Sequence, residues 1–131
     1  MQSAADKLYN RVMNCCYRVH RALVPGFLES VYHNALLIEL RKEGLNAQSE
    51  YPIEVCYDGS VVGQFKADII VDKSLIIELK AVESLCTAHE VQLVNYLTAT
   101  GINEGILVNF GSTKIQMRRK FRLPKIKDNN T

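Results

Sequence analysis

Apolar residues recur at helical spacing from about Ala4 to Leu23, at Leu8, Val12, Cys15, Cys16, Val19 and Leu23. They predict an amphipathic helix that Pro25-Gly26 breaks. A second helix is predicted from about Leu28 to Lys42, with Leu28, Val31, Tyr32, Ala35, Leu36 and Leu40 as its apolar stripe and Gly44 as its stop. The pattern then changes to strands. Ser49 to Tyr57 and Val61 to Val71 flank the hairpin signal Asp58-Gly59, and Ser74 to Val82 is a third strand. Thr87 to Thr100 returns to helix, capped by Thr87 and ended by Gly101. Two more strands, Glu104 to Phe110 and Lys114 to Leu123, surround Gly111-Ser112. The order ααβββαββ predicts an α/β protein, more narrowly an α+β mixed sheet flanked by helices. With no internal repeat or linker, residues 1–126 are expected to form one domain, followed by a disordered tail at 127–131.

Composition narrows the setting. The 131 residues are 47% hydrophobic and 23% charged, as in an ordinary globular protein, and no apolar run is long enough to span a membrane. The N-terminus lacks the charged-then-apolar layout of a signal peptide, and Cys15, Cys16, Cys56 and Cys86 show no Cys-x-x-Cys spacing. Four reduced thiols in the cytoplasm are the expectation. The net charge of +2 is unevenly spread. Residues 1–111 carry nine Lys/Arg against thirteen Asp/Glu, whereas 112–127 carry seven basic residues and no acid. Lys114, Arg118, Arg119, Lys120 and Arg122 are therefore candidate phosphate contacts. The same residues also suit a solubilised edge strand, since Lys and Arg blunt sheet edges.

Three polar residues interrupt the strands where Val or Ile would be expected. Asp68 ends Gly-Gln-Phe-Lys-Ala-Asp, and Glu78 and Lys80 stand in Ile-Ile-Glu-Leu-Lys. Burying an ionic group costs several kcal/mol, on the order of a whole domain's margin, unless it is paired or binds a metal. Alternation puts Glu78 and Lys80 on one face. Asp68 joins them only in one class of register. A three-residue loop, Asp72-Lys73-Ser74, pairs Val71 with Leu75 and hence Asp68 with Glu78; a two-residue loop sends the carboxylates to opposite faces. Paired, the carboxylates suit Mg²⁺ or Mn²⁺, and Lys80 can orient a water or neutralise charge beside the metal.

Helical residues fit around this centre. Glu29 and Tyr32 project together from the second helix, and Glu29 is placed to bind metal directly or through water. His89, Gln92 and Tyr96 share a face of the third helix. Each has a plainer reading: Glu29 as a helix-dipole partner, Gln92 and Tyr96 as amphipathic surface.

Gly26-Phe27-Leu28-Glu29-Ser30-Val31-Tyr32 matches the motif of the GxxExxY proteins, which resemble the RecB-like branch of the PD-(D/E)XK nuclease superfamily. The likeness continues through Asp68, Glu78-Leu79-Lys80, the QxxxY segment Gln92 to Tyr96, and Asn109-Phe110-Gly111, covering about residues 8–122. It implies a restriction-endonuclease-like core. It also implies a metal held by Asp68, Glu78 and the Leu79 backbone carbonyl, with Lys80 catalytic and Glu29 a further acidic member. Gln92, Tyr96 and Tyr32 would support the site or contact DNA. Some relatives use a helical His as a ligand, a part open to His20, which is equally suited to a structural role. The implied activity is Mg²⁺- or Mn²⁺-dependent hydrolysis of phosphodiester bonds in DNA. A catalytically silent nucleic-acid- or protein-binding module with the same fold is the rival, since fold does not fix function. So short a chain is expected to need a homodimer or a protein partner to complete a DNA groove.

Overall fold

Five strands form one sheet in the order β1-β2-β3-β4-β5, where β1 is Ala47–Tyr57, β2 Ser60–Val71, β3 Leu75–Lys80, β4 Glu104–Asn109 and β5 Gln116–Phe121. The computed structural model describes residues 2–123; the expected tail at 127–131 and the end of the expected domain lie outside them. Three helices cover the sheet: α1 (Ala4–Leu23), α2 (Glu29–Lys42) and α3 (Thr87–Thr100). All eight expected elements occur in the expected order. The sheet is mixed because β3 and β4 run parallel, joined through α3, while the other neighbours are antiparallel.

β3 and β4 are apolar on both faces because each face is covered. On one side Val12, Cys16 and Val19 of α1 and Leu36 and Leu40 of α2 pack on Ile69, Leu75, Ile77, Leu79, Ile106 and Val108. On the other, Leu93, Tyr96 and Leu97 of α3 pack on Ile53, Ile70, Ile76 and Leu107. Gly105 lets α3 lie close, since a Cβ there would stand 2.7 Å from the Leu93 side chain. Among the described residues all four cysteines are free thiols, and no helix is long and apolar enough to cross a membrane.

Local differences from the expected boundaries have physical causes. α3 is capped by Cys86 rather than Thr87: the Cys86 amide donates to His89 Nδ1 at 3.2 Å, and the Cys86 side chain accepts from the His89 amide. That capping box takes up His89. β1 starts two residues early, at Ala47, because Asn46 and Asp72 clasp its first turn: the Asn46 amide donates to Asp72 Oδ1 and the Asp72 amide to the Asn46 carbonyl, both at 2.8 Å.

The largest departure lies inside the first hairpin. The β1–β2 ladder pairs Ser49 with Ile69 and resumes at Tyr51 with Ala67, stepping over Glu50 and Asp68. Glu50 has φ +51°, the left-handed region that a non-glycine residue rarely occupies. Ala47, Ile69 and Val71 face α1 and α2, yet Ile53 and Ala67 face α3, so the inside-outside alternation inverts at this step. The outer hairpin turns its other face to α3, and Asp68 sits at the crossover.

Candidate active site

The register required for a paired carboxylate site is present. Val71 pairs with Leu75 and Ile69 with Ile77, and one further step places Asp68 opposite Glu78. The backbone ladder ends there and side chains replace it. The Asp68 amide donates to Glu78 Oε1 at 3.1 Å, and the Leu79 amide donates to Asp68 Oδ2 at 2.8 Å. Both side chains are thereby held by backbone amides, those of Asp68 and Leu79, which fixes their orientation without a third side chain.

Glu78 is only 3% exposed. Burial, then the charge of Asp68, then a direct hydrogen bond between the two carboxyls push its pKa up to about 9, against smaller opposing pulls from the Asp68 amide and then Lys80. Without a cation the pair therefore holds a proton at neutral pH. Among the described residues no three His, Cys, Asp or Glu side chains converge as a ready-made metal cage. The donor set still fits a hard divalent ion, because such an ion is commonly bound by one or two carboxylates and completes its shell with water and substrate phosphate. A cation between Asp68 and Glu78 would take the place of the shared proton.

Groups from both sheet faces reach this centre. Glu29, the first residue of α2, has its pKa raised by partial burial and then by Asp68, with Lys80 and His33 opposing. His33, one turn after Glu29, shares a 2.7 Å hydrogen bond with Ser49 Oγ. It is not among the residues predicted for the site, although its i, i+4 spacing from Glu29 is visible in the sequence. From the opposite face, the Tyr96 phenol has its pKa raised by burial and by Glu78 and Asp68, while a hydrogen bond with Gln92 opposes the shift. Asp68, Glu78, Lys80, Glu29, Gln92 and Tyr96 thus come together.

The other predicted residues lie in the supporting structure. Tyr32 is fully buried; its hydroxyl donates to the Val24 carbonyl at 2.6 Å and accepts from the Phe27 amide at 3.1 Å. Its ring stacks on Phe110 at 5.1 Å, so it pins the α1–α2 linker and with it the start of α2 that carries Glu29. His20 donates from Nε2 to the Ser112 carbonyl at 2.9 Å, and no contact among the described residues joins it to Asp68 or Glu78. Asn109, named in the sequence only as part of the family likeness and given no role there, is fully buried; it accepts on Oδ1 from the Val82 and Gly111 amides and donates from Nδ2 to the Val82 carbonyl. With the Phe110 amide donating to the Lys80 carbonyl at 2.8 Å, this clamp fixes the chain around Lys80. Gly111 is required there, since a Cβ would stand 2.4 Å from the Val82 carbonyl oxygen.

The basic strand β5 is less open than its sequence implies. Arg119 is ion-paired with buried Glu104 at 2.7 Å and with Asp6 at 2.9 Å, its guanidinium lying over the Tyr9 and Phe121 rings. Lys120 pairs with Glu90 at 3.2 Å, and Arg122 donates to Asn103 Oδ1 at 3.0 Å. Lys114 and Arg118 are exposed, with no ion pair among the described residues.

The model of the PD-(D/E)XK nuclease superfamily matches residues 6–120, nearly all of the described chain and the whole of this site. The chain belongs to that superfamily. Asp68, Glu78 and Lys80 lie within the matched residues, and nucleases of this superfamily generally use divalent metal ions. Among solved structures it is similar to the protein SSO0001, at 27% identity and a TM-score of 0.60 over 73% of this chain and 50% of that one. It therefore spans about half the length of that protein. An alkaline exonuclease, LHK-Exo from Laribacter hongkongensis, shares the fold at 14% identity and a TM-score of 0.53, over 93% of this chain and 72% of that one. No curated protein matches the sequence closely enough to count as a relative.

Proposed function

We propose that this PD-(D/E)XK protein hydrolyses phosphodiester bonds in DNA with Mg²⁺ or Mn²⁺, as a member of the RecB-like GxxExxY group acting in the cytoplasm. The observation that carries the reading is the half-buried Asp68 carboxylate held against the buried Glu78 carboxyl, a pair in which a divalent cation would replace the shared proton. Asp68, Glu78 and the Leu79 carbonyl are the residues to hold it. When bound, such an ion polarises a phosphoryl oxygen and lowers the pKa of water. Asp68 and Glu78, locked by backbone amides, fix where the scissile phosphate docks. Lys80 neutralises the negative charge that develops on the phosphate oxygens and orients the attacking water. Water forms the new P–O bond, the ester P–O bond breaks, and the leaving oxygen takes a proton. Glu29, its carboxyl pKa raised, is placed to accept a proton from the water or to bind the ion through one. Gln92, Tyr96 and Tyr32 support these groups; Lys114 and Arg118 are the better phosphate contacts in the basic segment, because Arg119, Lys120 and Arg122 are engaged by Glu104 and Asp6, by Glu90 and by Asn103. His20 holds the loop after β4, with a ligand role secondary. A homodimer or protein partner would complete the grip on DNA.

The test is cleavage of single- and double-stranded DNA in Mg²⁺ or Mn²⁺, with Asp68→Ala and Lys80→Ala controls. Cleavage that survives both substitutions would sink the reading. Metal-independent DNA binding without cleavage would favour the silent binding module.

A further inference from the structure

Beside the carboxylates lies a cavity of about 530 Å³ between the outer hairpin and α3, lined by Val55, Phe65, Val91, Gln92, Asn95 and Tyr96 among others. It is the consequence of the inverted alternation, which turns Phe65 toward α3. Phe65 is 47% exposed, too open for a core residue, yet its place is set. Its ring lies over Gly63, where a Cβ would come within 2.9 Å of it, and tilts toward Tyr96 at a centroid distance of 5.8 Å. The opening thus offers an aromatic face, apolar walls from Val55 and Val91, and the carboxamides of Gln92 and Asn95. Flat aromatic surface with a few amides is the chemistry that receives a heterocyclic base, whose faces stack and whose edges both donate and accept hydrogen bonds. Among the described residues no lysine or arginine lines the cavity, so its walls do not suit a phosphate. Tyr96 belongs both to this cavity and to the surroundings of Asp68 and Glu78. A phosphate at the carboxylates would leave its neighbouring nucleotide at this opening.

We infer that the Phe65–Asn95 cavity receives an unpaired base of the DNA strand being cut, so that the protein prefers single-stranded or frayed DNA to intact duplex. The inference rests on the nuclease reading for its choice of ligand. A base must leave its stack to enter, which costs least in a strand that is already unpaired. Phe65 provides the stacking face, and Asn95, one turn from Val91 and outside the carboxylate centre, reads the base edge.

The test measures binding in Ca²⁺ of a single-stranded oligonucleotide carrying 2-aminopurine, of the same strand with an abasic position, and of a duplex. The native protein should quench the 2-aminopurine and bind the single strand more tightly than the duplex. Phe65→Ala should remove the quench and weaken single-strand binding roughly tenfold, the scale of one stacked base. Phe65→Trp should restore both, and the loss from Phe65→Ala should vanish on the abasic strand. Gly63→Ala, which must displace the ring without removing it, should give an intermediate loss. Equal binding by native protein and Phe65→Ala, or no binding of the single strand by the native protein, would overturn the inference. So would a change of oligomeric mass in Phe65→Ala with DNA binding unaltered, which would assign the face to a second copy of the chain. Quenching without cleavage in Mg²⁺ or Mn²⁺ would uphold the cavity and overturn the nuclease reading; duplex cleavage indifferent to Phe65 would do the reverse.

Discussion

Asp68 and Glu78 each accept a hydrogen bond from backbone of the opposing strand, Glu78 from the Asp68 amide at 3.1 Å and Asp68 from the Leu79 amide at 2.8 Å. Side-chain oxygens therefore do the work of the missing ladder bonds, and the same atoms that close the sheet are the ones proposed to hold the metal. The two roles separate on substitution. Asp68→Asn and Glu78→Gln should each remove cleavage while leaving the fold intact, because an amide oxygen still accepts from the backbone. Asp68→Ala should lose activity and also about 1–3 kcal/mol of stability, from the unpaired Leu79 amide. Urea unfolding beside a cleavage assay distinguishes them.

The raised Glu78 carboxyl gives the metal-free protein a pH-dependent stability. The folded state holds its proton up to about pH 9, whereas the unfolded chain releases it near the ordinary value of 4.5. Stability from this group is complete below that ordinary value and is lost as pH rises toward 9, with a slope of at most about 1.4 kcal/mol per pH unit. Thermal melts in chelator should fall across that window. Glu78→Gln should flatten the fall, and added Mg²⁺ or Mn²⁺ should raise the native melting temperature most at the alkaline end.

Tyr32 acts on Glu29 through the linker that its hydroxyl ties to Val24 and Phe27. Tyr32→Phe keeps the ring stack on Phe110 and removes only those two bonds. A loss of about 1–2 kcal/mol in urea unfolding is expected, with kcat lowered and DNA affinity retained. Unchanged kcat would show that the linker does not position Glu29.

On β5 neighbouring arginines should behave differently. Arg119→Ala strands buried Glu104 and should cost about 3 kcal/mol, leaving the salt dependence of DNA binding unchanged. Arg118→Ala should leave unfolding unchanged and reduce the log–log salt slope by about 1. Titrations at several salt concentrations, run beside unfolding curves, separate the two.

Much of this architecture is visible in the order of residues. Helical spacing, Asp58-Gly59 and the apolar strands determine the elements, and the loop length after Val71 puts Asp68 opposite Glu78. Other features depend on partners distant in the chain. Arg119 reads as a free charge until Asp6 and Glu104 are brought beside it. Tyr32 reads as a member of a motif, and only the fold shows its hydroxyl buried on the linker. The left-handed Glu50 carries no signal at all, because glutamate has no preference for that conformation. Without it, the facing of Phe65 is assigned to the wrong side, and the cavity beside the carboxylates is invisible.

The crossover at Glu50 and Asp68 gives the outer hairpin a facing of its own, opposite to that of the inner sheet that holds the carboxylates. The fixed part of the centre is anchored on β3 and the inner half of β2, where both faces are packed. The arm beyond the crossover touches little except α3. Under the proposed nuclease reading, changes in its length or side chains would alter what is gripped without moving the carboxylates, so substrate preference could drift while the chemistry stayed in place.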